Sequence, residues 1–289
     1  MPPWLAHPPL ASWLPLLERA LAEDLGPGDV TGALVLAEDA VLDAVLEARG
    51  TLVVCGLRVA EEAFRRVDAR VAPTAASHEG ARAGPGQALL RIRGPARAVL
   101  AAERTALNFV ARMAGVATWT ARFVEQVAGT GVAIVDTRKT LPGWRVLDRY
   151  AVAVGGGVNH RAGLFDAVLV KDNHAAAAGG VGAAVKAARE GAPPHLWIQA
   201  EVESEAEAEA ALAAGADALL LDNRSPAELR ALASRFRGRT LLEASGGITL
   251  ENVREVAETG VHRISIGALT HSAPAADVAL EAALGRAPR

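Results

Sequence analysis

The second half of the chain alternates short apolar segments with helical stretches, and this regularity restricts the fold more than any other feature. The apolar segments fall at 132–135, 167–170, 196–202, 218–221, 240–244 and 263–266. Strands that are apolar throughout and alternate with helices are typical of a parallel sheet covered by those helices. The pattern therefore predicts an α/β fold built on a parallel sheet from about residue 130 onward.

Polar residues or glycines come at or just past the carboxyl end of each predicted strand. They are Asp136, Lys171, Glu201, Asp222, Ser245 and Gly267. In a β/α barrel these strand ends share one face, and that face holds the active site. An open doubly wound sheet would also bind ligands at its carboxyl edge, but at one switch point rather than around a ring. Functional groups on so many strands favour the barrel.

The first 112 residues mix helical and strand-like patterns. The spacing predicts helices at 12–24 and 59–67 and strands at 40–47 and 87–93. We interpret 1–112 as an N-terminal α+β domain and 113–271 as the barrel that carries the catalytic site. The closing segment 272–289 contains a helix-like stretch at 277–284, which we expect to pack on the first domain and to join it.

Lysine is rare in this chain, and its positions predict an anion pocket. Only three of the thirty Lys and Arg residues are lysines, and Lys139 and Lys171 each follow a predicted strand. Because lysine is a compact charge and arginine a planar fork, a retained lysine suggests a place where a guanidinium would not serve. Arg138, His160 and Arg161 add cationic groups nearby in sequence. A net charge of −3 argues against a general nucleic-acid binder, so we favour a local anion site over a solvated loop.

The carboxylates and glycines at the same strand ends leave two interpretations open. Glu201 and Asp222 could pair with the lysines, or they could bind Mg²⁺ directly or through water together with substrate phosphates. The glycines of 245–247 and Gly267 could expose backbone N–H groups to a phosphate. They could also simply form tight turns. Two such loops together favour the phosphate site.

Cysteine content and the terminal sequence exclude several classes of protein. The single cysteine, Cys55, cannot form an internal disulfide or a Cys-cluster zinc site, and it reads as a small buried apolar residue. No basic segment followed by an apolar stretch begins the sequence, and no run approaches the roughly 18 apolar residues of a membrane span. We therefore expect a cytoplasmic protein with neither membrane nor nucleic-acid partners.

Seven motifs occur in order along nearly the whole chain. They are ERTALNF at 103–109, DTRKT at 136–140, GGGVNHR at 155–161, KDNH at 171–174, LDN at 221–223, EASGGI at 243–248 and GALTHS at 267–272. Together they resemble quinolinate phosphoribosyltransferase, the decarboxylating nicotinate-nucleotide pyrophosphorylase of NAD biosynthesis. The resemblance implies a pentosyltransferase that joins phosphoribosyl pyrophosphate (PRPP) to quinolinate. The implied products are nicotinate mononucleotide, pyrophosphate and CO₂.

The resemblance also implies the architecture and the assembly. The expected fold is an open β/α barrel of six or seven strands with an N-terminal α+β sandwich-like domain. The expected assembly is a homodimer or a dimer-based hexamer, in which the first domain of one subunit covers the barrel mouth of the other. Arg104, to which sequence spacing alone gives no special role, would then reach the site of the partner subunit.

The roles of individual residues follow from the same resemblance. The residues implied to surround the two carboxylates of quinolinate are Arg138, His160, Arg161, Lys171 and, from the partner subunit, Arg104. The residues implied to act in catalysis on PRPP are Lys139, Lys171, Glu201 and Asp222, the last two facing the ribose and Mg²⁺. The residues implied to hold the 5′-phosphate are Ser245, Gly246, Gly247 and Gly267.

Three positions depart from the family pattern without removing a proposed catalytic group. Gln199 stands where an acidic residue is expected, Leu141 where a threonine is common and Trp144 where a leucine is common. Gln199 leaves one negative charge fewer near Glu201 than the family pattern has.

Three other functions are weighed against this one. A paralogous phosphoribosyltransferase-like protein would act on another pyridine or pyrimidine carboxylate, but the intact motifs at 159–161 and 171–174 favour quinolinate. A non-catalytic anion sensor would gain little from Glu201 and Asp222. A phosphate-binding barrel isomerase or synthase would be expected to show a recognisable acid–base pair instead of this set of arginines and lysines.

Overall fold

The computed structural model describes residues 6–282. A short 3₁₀ turn, Leu10–Ser12, precedes the first helix. The helices are α1 Leu14–Leu25, α2 Val30–Val35, α3 Leu57–Val67, α4 Ala96–Gln126, α5 Arg145–Val154, α6 Asp172–Ala178, α7 Val181–Gly191, α8 Glu205–Ala213, α9 Pro226–Phe236, α10 Val253–Ala257 and α11 Ala268–His271. The strands are β1 Val41–Ala48, β2 Leu52–Val53, β3 Ala72–Ala75, β4 Arg82–Ala83, β5 Ala88–Pro95, β6 Ala133–Val135, β7 Val168–Val170, β8 Ile198–Val202, β9 Ala218–Asp222, β10 Leu241–Ser245, β11 Arg263–Ser265 and β12 Val278–Ala282.

The chain divides into two compact units. The first unit comprises residues 1–121, 141–156 and 272–289, and the second comprises 122–140 and 157–271. The first unit contains an antiparallel sheet in the order β12-β1-β5-β3 and a two-stranded sheet of β2 and β4. The helices and strands predicted in the first 112 residues are confirmed, with ends displaced by one or two residues.

The core of the first unit follows from the two-residue period of its strands. Leu46 of β1 lies opposite Leu90 of β5, and both side chains are buried. Ile92 continues the buried row on β5, while Arg91 between them is exposed. Phe64 of α3 is also buried. Alternating apolar side chains on paired strands thus give one covered face and one solvated face.

The prediction of a helix at 277–284 is wrong. Residues 278–282 form strand β12, which pairs antiparallel with β1 and places Leu280 opposite Leu46; residues 283–284 lie outside the described residues. The sequence VALEA suits a helix as well as a strand, because its apolar residues satisfy either period over so short a span. The edge of β1 provides backbone partners for a strand, and tertiary pairing overrides local propensity.

The second unit is the predicted parallel sheet. Its six strands run in the order β6-β11-β10-β9-β8-β7, and every paired neighbour is parallel. All six predicted strands are therefore confirmed. Within residues 6–282, β6 and β7 do not pair with each other, and the outer edge of β6 instead carries a single parallel bridge from Val135 to Val158.

One pocket at the carboxyl ends of the strands is lined by residues in or just after all six of them, including the two edge strands. A flat sheet could not bring its two edges to a common pocket. The sheet is therefore curved into an open β/α barrel, as predicted, with its opening between β6 and β7. The site is thereby placed where barrels carry their active sites.

Two further expectations concern Cys55 and membrane association. Cys55 is fully buried, and burial raises the pKa of its thiol well above the ordinary value, so it stays protonated and packs as a small apolar side chain. Among residues 6–282, no helix combines the length and the apolarity needed to cross a membrane.

Candidate active site

The pocket at the barrel mouth has a volume of about 420 Å³. The predicted site residues that line it are Arg138, Lys139, His160, Arg161, Lys171, Glu201, Asp222, Ser245, Gly246, Gly247 and Gly267. Arg104 does not line this pocket; it lies exposed on α4, in the first unit. Residues separated by more than a hundred positions thus converge because the carboxyl ends of parallel strands face the same way.

Like charges meet on one side of the pocket. Arg138 and Lys139 are exposed after β6, and Arg161 is half-buried, with its Nη1 donating to the carbonyl oxygen of Ala167 at 3.2 Å. Burial and the charge of Arg138 lower the pKa of Arg161, while Asp166 opposes the shift. A guanidinium nevertheless stays protonated at neutral pH. Two cations held close together repel each other until an anion lies between them, so this side of the pocket favours anionic ligands.

Carboxylates balance part of this charge. Lys171 Nζ lies 3.0 Å from Glu201 Oε2, and the Glu201 side chain is 9% exposed. Asp222 Oδ2 accepts a hydrogen bond from the Nδ2 group of Asn223 at 2.7 Å. Glu201 therefore pairs with a lysine, as one of the two interpretations predicted. The ion pair holds the ammonium group of Lys171 at the pocket wall.

Asp136 anchors the segment that carries His160 and Arg161. Its side chain is completely buried and does not line the pocket. Its two oxygens accept hydrogen bonds from Asn159 Nδ2 at 2.7 Å and from the His160 backbone N–H at 2.6 Å. Hydrogen bonds to a charged acceptor are the stronger kind. The polar residue that ends β6 thus positions the next cationic segment instead of facing the ligand.

A buried polar group supports the pocket from below. Glu243 is completely buried, and its Oε2 accepts hydrogen bonds from Arg263 Nε at 2.5 Å and from Gln199 Nε2 at 3.0 Å. His160 Nε2 lies 3.5 Å from the same oxygen. Burial raises the pKa of Glu243, but hydrogen bonding to His160 and the charge of Arg263 outweigh it and lower the pKa to about 2. Glu243 is therefore a carboxylate at neutral pH.

Two glycines of the predicted phosphate loops are required by geometry. Gly246 has φ +91°, and a Cβ atom there would lie 2.1 Å from the Oδ1 of Asn223. Gly267 has ordinary backbone angles, but a Cβ atom there would lie 2.9 Å from Lys139 Cδ and 3.0 Å from His271 Nε2. Gly246 thus allows a left-handed turn against Asn223, and Gly267 leaves room for two cationic or polar side chains.

Helix α6 begins directly at the pocket. Its N-cap is Lys171, whose backbone N–H donates to His174 Nδ1 at 3.1 Å. The helix starts directly after the strand, so the backbone of Lys171 begins the helix while its side chain turns into the pocket. His174 is a structural hydrogen-bond acceptor here.

The match to known sequences covers both units. The family described as quinolinate phosphoribosyl transferase matches with its C-terminal domain at residues 116–281 and with its N-terminal domain at 29–114. The chain belongs to the quinolinate phosphoribosyltransferase family.

Relatives in this family are similar over almost their whole length. The nicotinate-nucleotide pyrophosphorylase (carboxylating) of Mycobacterium leprae is 44% identical over 273 residues, covering 92% of this chain and 95% of the relative. The probable nicotinate-nucleotide pyrophosphorylase (carboxylating) of Bacillus subtilis is 38% identical over 269 residues, covering 93% of each. The structure of the nicotinate-nucleotide pyrophosphorylase from Francisella tularensis superposes with a TM-score of 0.92 at 36% identity, covering 96% of this chain and 98% of that chain.

Some pocket residues of this family member were not singled out from the sequence. They are Thr137, Glu243, Thr249, Ser265 and His271. Glu243 carried a usable signal, because it is the one charged residue in the apolar run 240–244. His271 is a lone histidine after the last strand, which by itself indicates no function.

The residues present fit Mg²⁺ only with help from a ligand. Residues 6–282 contain no group of three or more His, Cys, Asp or Glu side chains that could hold a metal ion. Glu201 and Asp222 line the same pocket, and Mg²⁺ is commonly held by one or two carboxylates together with substrate phosphates and water. The carboxylate set thus suits an ion that arrives with a phosphorylated substrate.

Proposed function

We propose that this chain transfers the phosphoribosyl group of PRPP to the ring nitrogen of quinolinate, with loss of pyrophosphate and CO₂, giving nicotinate mononucleotide for NAD biosynthesis. The observation that carries the proposal is the composition of one pocket: guanidinium and ammonium groups, two carboxylates and two glycine loops. Family membership supports the same reaction. The proposal includes a cytoplasmic location and small-molecule substrates, without nucleic-acid or membrane partners.

The paired guanidiniums suit the dicarboxylate. Arg138 and Arg161 are close enough for the charge of one to lower the pKa of the other. A planar fork can donate two parallel hydrogen bonds to a carboxylate, and quinolinate carries two adjacent carboxylates. Binding would relieve the repulsion between the arginines, so part of the affinity comes from the way the pocket is arranged before binding.

The carboxylates of the pocket suit the ribose. Transfer at C1′ passes through a state in which the ribose carries positive charge, and carboxylates fixed in position stabilise such charge without reorganising. Glu201 and Asp222 line the pocket, as does Lys139. Lys171, paired with Glu201 at 3.0 Å, can shift toward departing anionic oxygen. The backbone N–H groups around Gly246 and Gly267 suit the 5′-phosphate.

Decarboxylation needs no further protein nucleophile. Once the ring nitrogen is bonded to C1′ it is positively charged, and it stabilises the electron pair that stays on C2 when the adjacent carboxylate departs as CO₂. A proton from water then bonds to C2 and completes nicotinate mononucleotide. The arginines then hold only the remaining carboxylate. Mg²⁺, bound through PRPP with Glu201 and Asp222, would offset negative charge on the leaving pyrophosphate.

The assembly proposal gives Arg104 its function. We propose a homodimer, or a hexamer built from dimers, in which Arg104 of one subunit reaches the dicarboxylate in the site of the partner subunit. Arg104 is exposed on α4 and does not line the pocket of its own chain. Mixed Arg104→Ala and Lys171→Ala subunits should regain partial activity, because such heterodimers contain one intact shared site. Verified subunit exchange without any regained activity would contradict the sharing.

The test of the reaction uses purified protein with quinolinate, PRPP and Mg²⁺, and it measures nicotinate mononucleotide and CO₂. Both products should appear in equal amounts. Nicotinic acid in place of quinolinate is the control and should give no product. Turnover of nicotinic acid alone would overturn the proposal.

A further inference from the structure

The ring nitrogens of His160 are both engaged by the protein. Nδ1 accepts a hydrogen bond from the backbone N–H of Arg161 at 2.7 Å, so Nδ1 carries no proton. The single proton of the neutral ring is then on Nε2, which donates to Gln199 Oε1 at 3.1 Å. The ring therefore meets the pocket with its face and carbon edge, while its nitrogens fix the course of the chain at Arg161.

The amide of Gln199 can be oriented in only one way. Its Nε2 donates to Glu243 Oε2 at 3.0 Å, and its Oε1 accepts from Arg263 Nη2 at 3.1 Å. A carboxylate only accepts and a guanidinium only donates, so the reverse orientation would set acceptor against acceptor and donor against donor. Gln199 is 1% exposed and has no room to exchange these partners for water. Its oxygen is thereby held toward His160.

Successive side chains of a strand point to opposite faces, so residues two apart share a face. This places Gln199 and Glu243 directly under predicted site residues. Gln199 and Glu201 lie on the same face of β8, as do Glu243 and Ser245 on β10. Both pairs have their outer members at the pocket. The buried members connect strands β8, β10 and β11 to the 158–161 segment, across the open side of the barrel. Within the described part of the chain, residues 6–282, that segment has a single β-bridge to the sheet, at Val158.

We propose that Gln199 is a positioning residue for the dicarboxylate subsite. Its amide joins the buried Glu243–Arg263 ion pair to Nε2 of His160, fixes the orientation of the ring, and thereby holds the Arg161 backbone and guanidinium in place. The expected change in the KM for quinolinate rests on the proposed function. The expected change in the NMR spectrum of the His160 ring does not.

The kinetic test uses Gln199→Leu, which keeps similar bulk and removes the three hydrogen bonds of the side-chain amide. The KM for quinolinate should rise about tenfold, while the KM for PRPP and kcat stay within about twofold. Ile264→Val is the control for general loosening of the barrel. Ile264 is buried on the face of β11 opposite to Arg263, so this change should leave the KM for quinolinate unchanged. Equal rises in both KM values, or an unchanged KM for quinolinate, would overturn the positioning role.

The spectroscopic test is independent of catalysis. In ¹⁵N NMR of the ligand-free protein at pH 8, the His160 ring, assigned by its loss in His160→Gln, should show one protonated and one unprotonated nitrogen. Gln199→Leu should give a mixture of tautomers, because Nε2 loses its acceptor, while Ile264→Val should keep the wild-type spectrum. A His160 spectrum that is identical in wild type and Gln199→Leu would overturn the inference, even if wild-type protein makes nicotinate mononucleotide. Absence of that product together with the expected spectra would overturn the proposed function alone.

Discussion

Removal of the Asp136 carboxylate tests how the cationic segment is held in place. Asp136 is fully buried and accepts hydrogen bonds from Asn159 Nδ2 and the His160 backbone N–H at 2.7 and 2.6 Å. A hydrogen bond to a charged group contributes about 1.5–3 kcal/mol. Asp136→Ala removes the acceptor of both bonds. We therefore expect the free energy of unfolding to fall by about 3–5 kcal/mol.

Asp136→Asn provides a graded comparison. The Asn159 amide can rotate by half a turn and accept from the amide group of the substituted side chain, whose carbonyl oxygen still accepts from the His160 backbone N–H. Both contacts then persist as neutral bonds, each weaker by about 1 kcal/mol, so the expected loss is about 2 kcal/mol. Because the segment also carries Arg161, the KM for quinolinate should rise in both variants, and more in Asp136→Ala.

Urea unfolding followed by circular dichroism measures the stability, and steady-state kinetics with each substrate varied in turn measures the binding. Asp39→Ala, at an exposed aspartate of the first unit, is the matched control and should change neither quantity. The reasoning fails if Asp136→Ala unfolds within about 1 kcal/mol of wild type. It also fails if the KM for PRPP rises while that for quinolinate does not.

Three further predictions concern the pocket and the buried Glu243 beneath it. Gly246→Ala should destabilise the protein more than Gly247→Ala, because its Cβ would lie 2.1 Å from Asn223 Oδ1 while that of Gly247 meets nothing within 4 Å; equal thermal unfolding temperatures would contradict this. Glu243, with its pKa lowered to about 2, should stabilise the fold above pH 4.5 and lose that stabilisation, about 3 kcal/mol, as the pH falls toward 2. Glu243→Gln should flatten the curve of unfolding free energy against pH between pH 4.5 and 2. An unchanged slope there would contradict the stabilising role of the Glu243 carboxylate. Lys139→Ala or Arg161→Ala should lower turnover by orders of magnitude without changing the unfolding transition, and near-wild-type turnover in either variant would remove that residue from the site.

The sheet of the barrel could be predicted because its signal is local. A buried parallel strand is apolar at every position, so runs such as 218–221 and 263–266 stand out between polar helix starts. The convergence of Lys171, Glu201 and Asp222 then follows from topology alone. β12 could not be predicted in this way, because VALEA becomes a strand only where the edge of β1 lies beside it.

The supporting contacts of the site are not local and were not predictable. Asp136 ends a strand, as Glu201 and Asp222 do, yet its carboxylate is taken up by the 159–160 backbone and side chain instead of the pocket. Nothing in the spacing distinguishes these cases. The distinction depends on the bridge between Val135 and Val158, which brings a segment more than twenty residues later alongside β6.

The polar side chains buried beneath the pocket, Gln199, Glu243 and Arg263, act on the orientation of the site. At the mouth, the charge of Arg138 lowers the pKa of Arg161. Beneath it, Glu243 is already paired with Arg263. Burying an ion pair costs desolvation energy that the pair itself barely recovers, and apolar side chains would pack there at least as well. The buried polar residues therefore contribute more to the orientation of the site than to stability. They fix which atoms of His160 and Arg161 face the dicarboxylate.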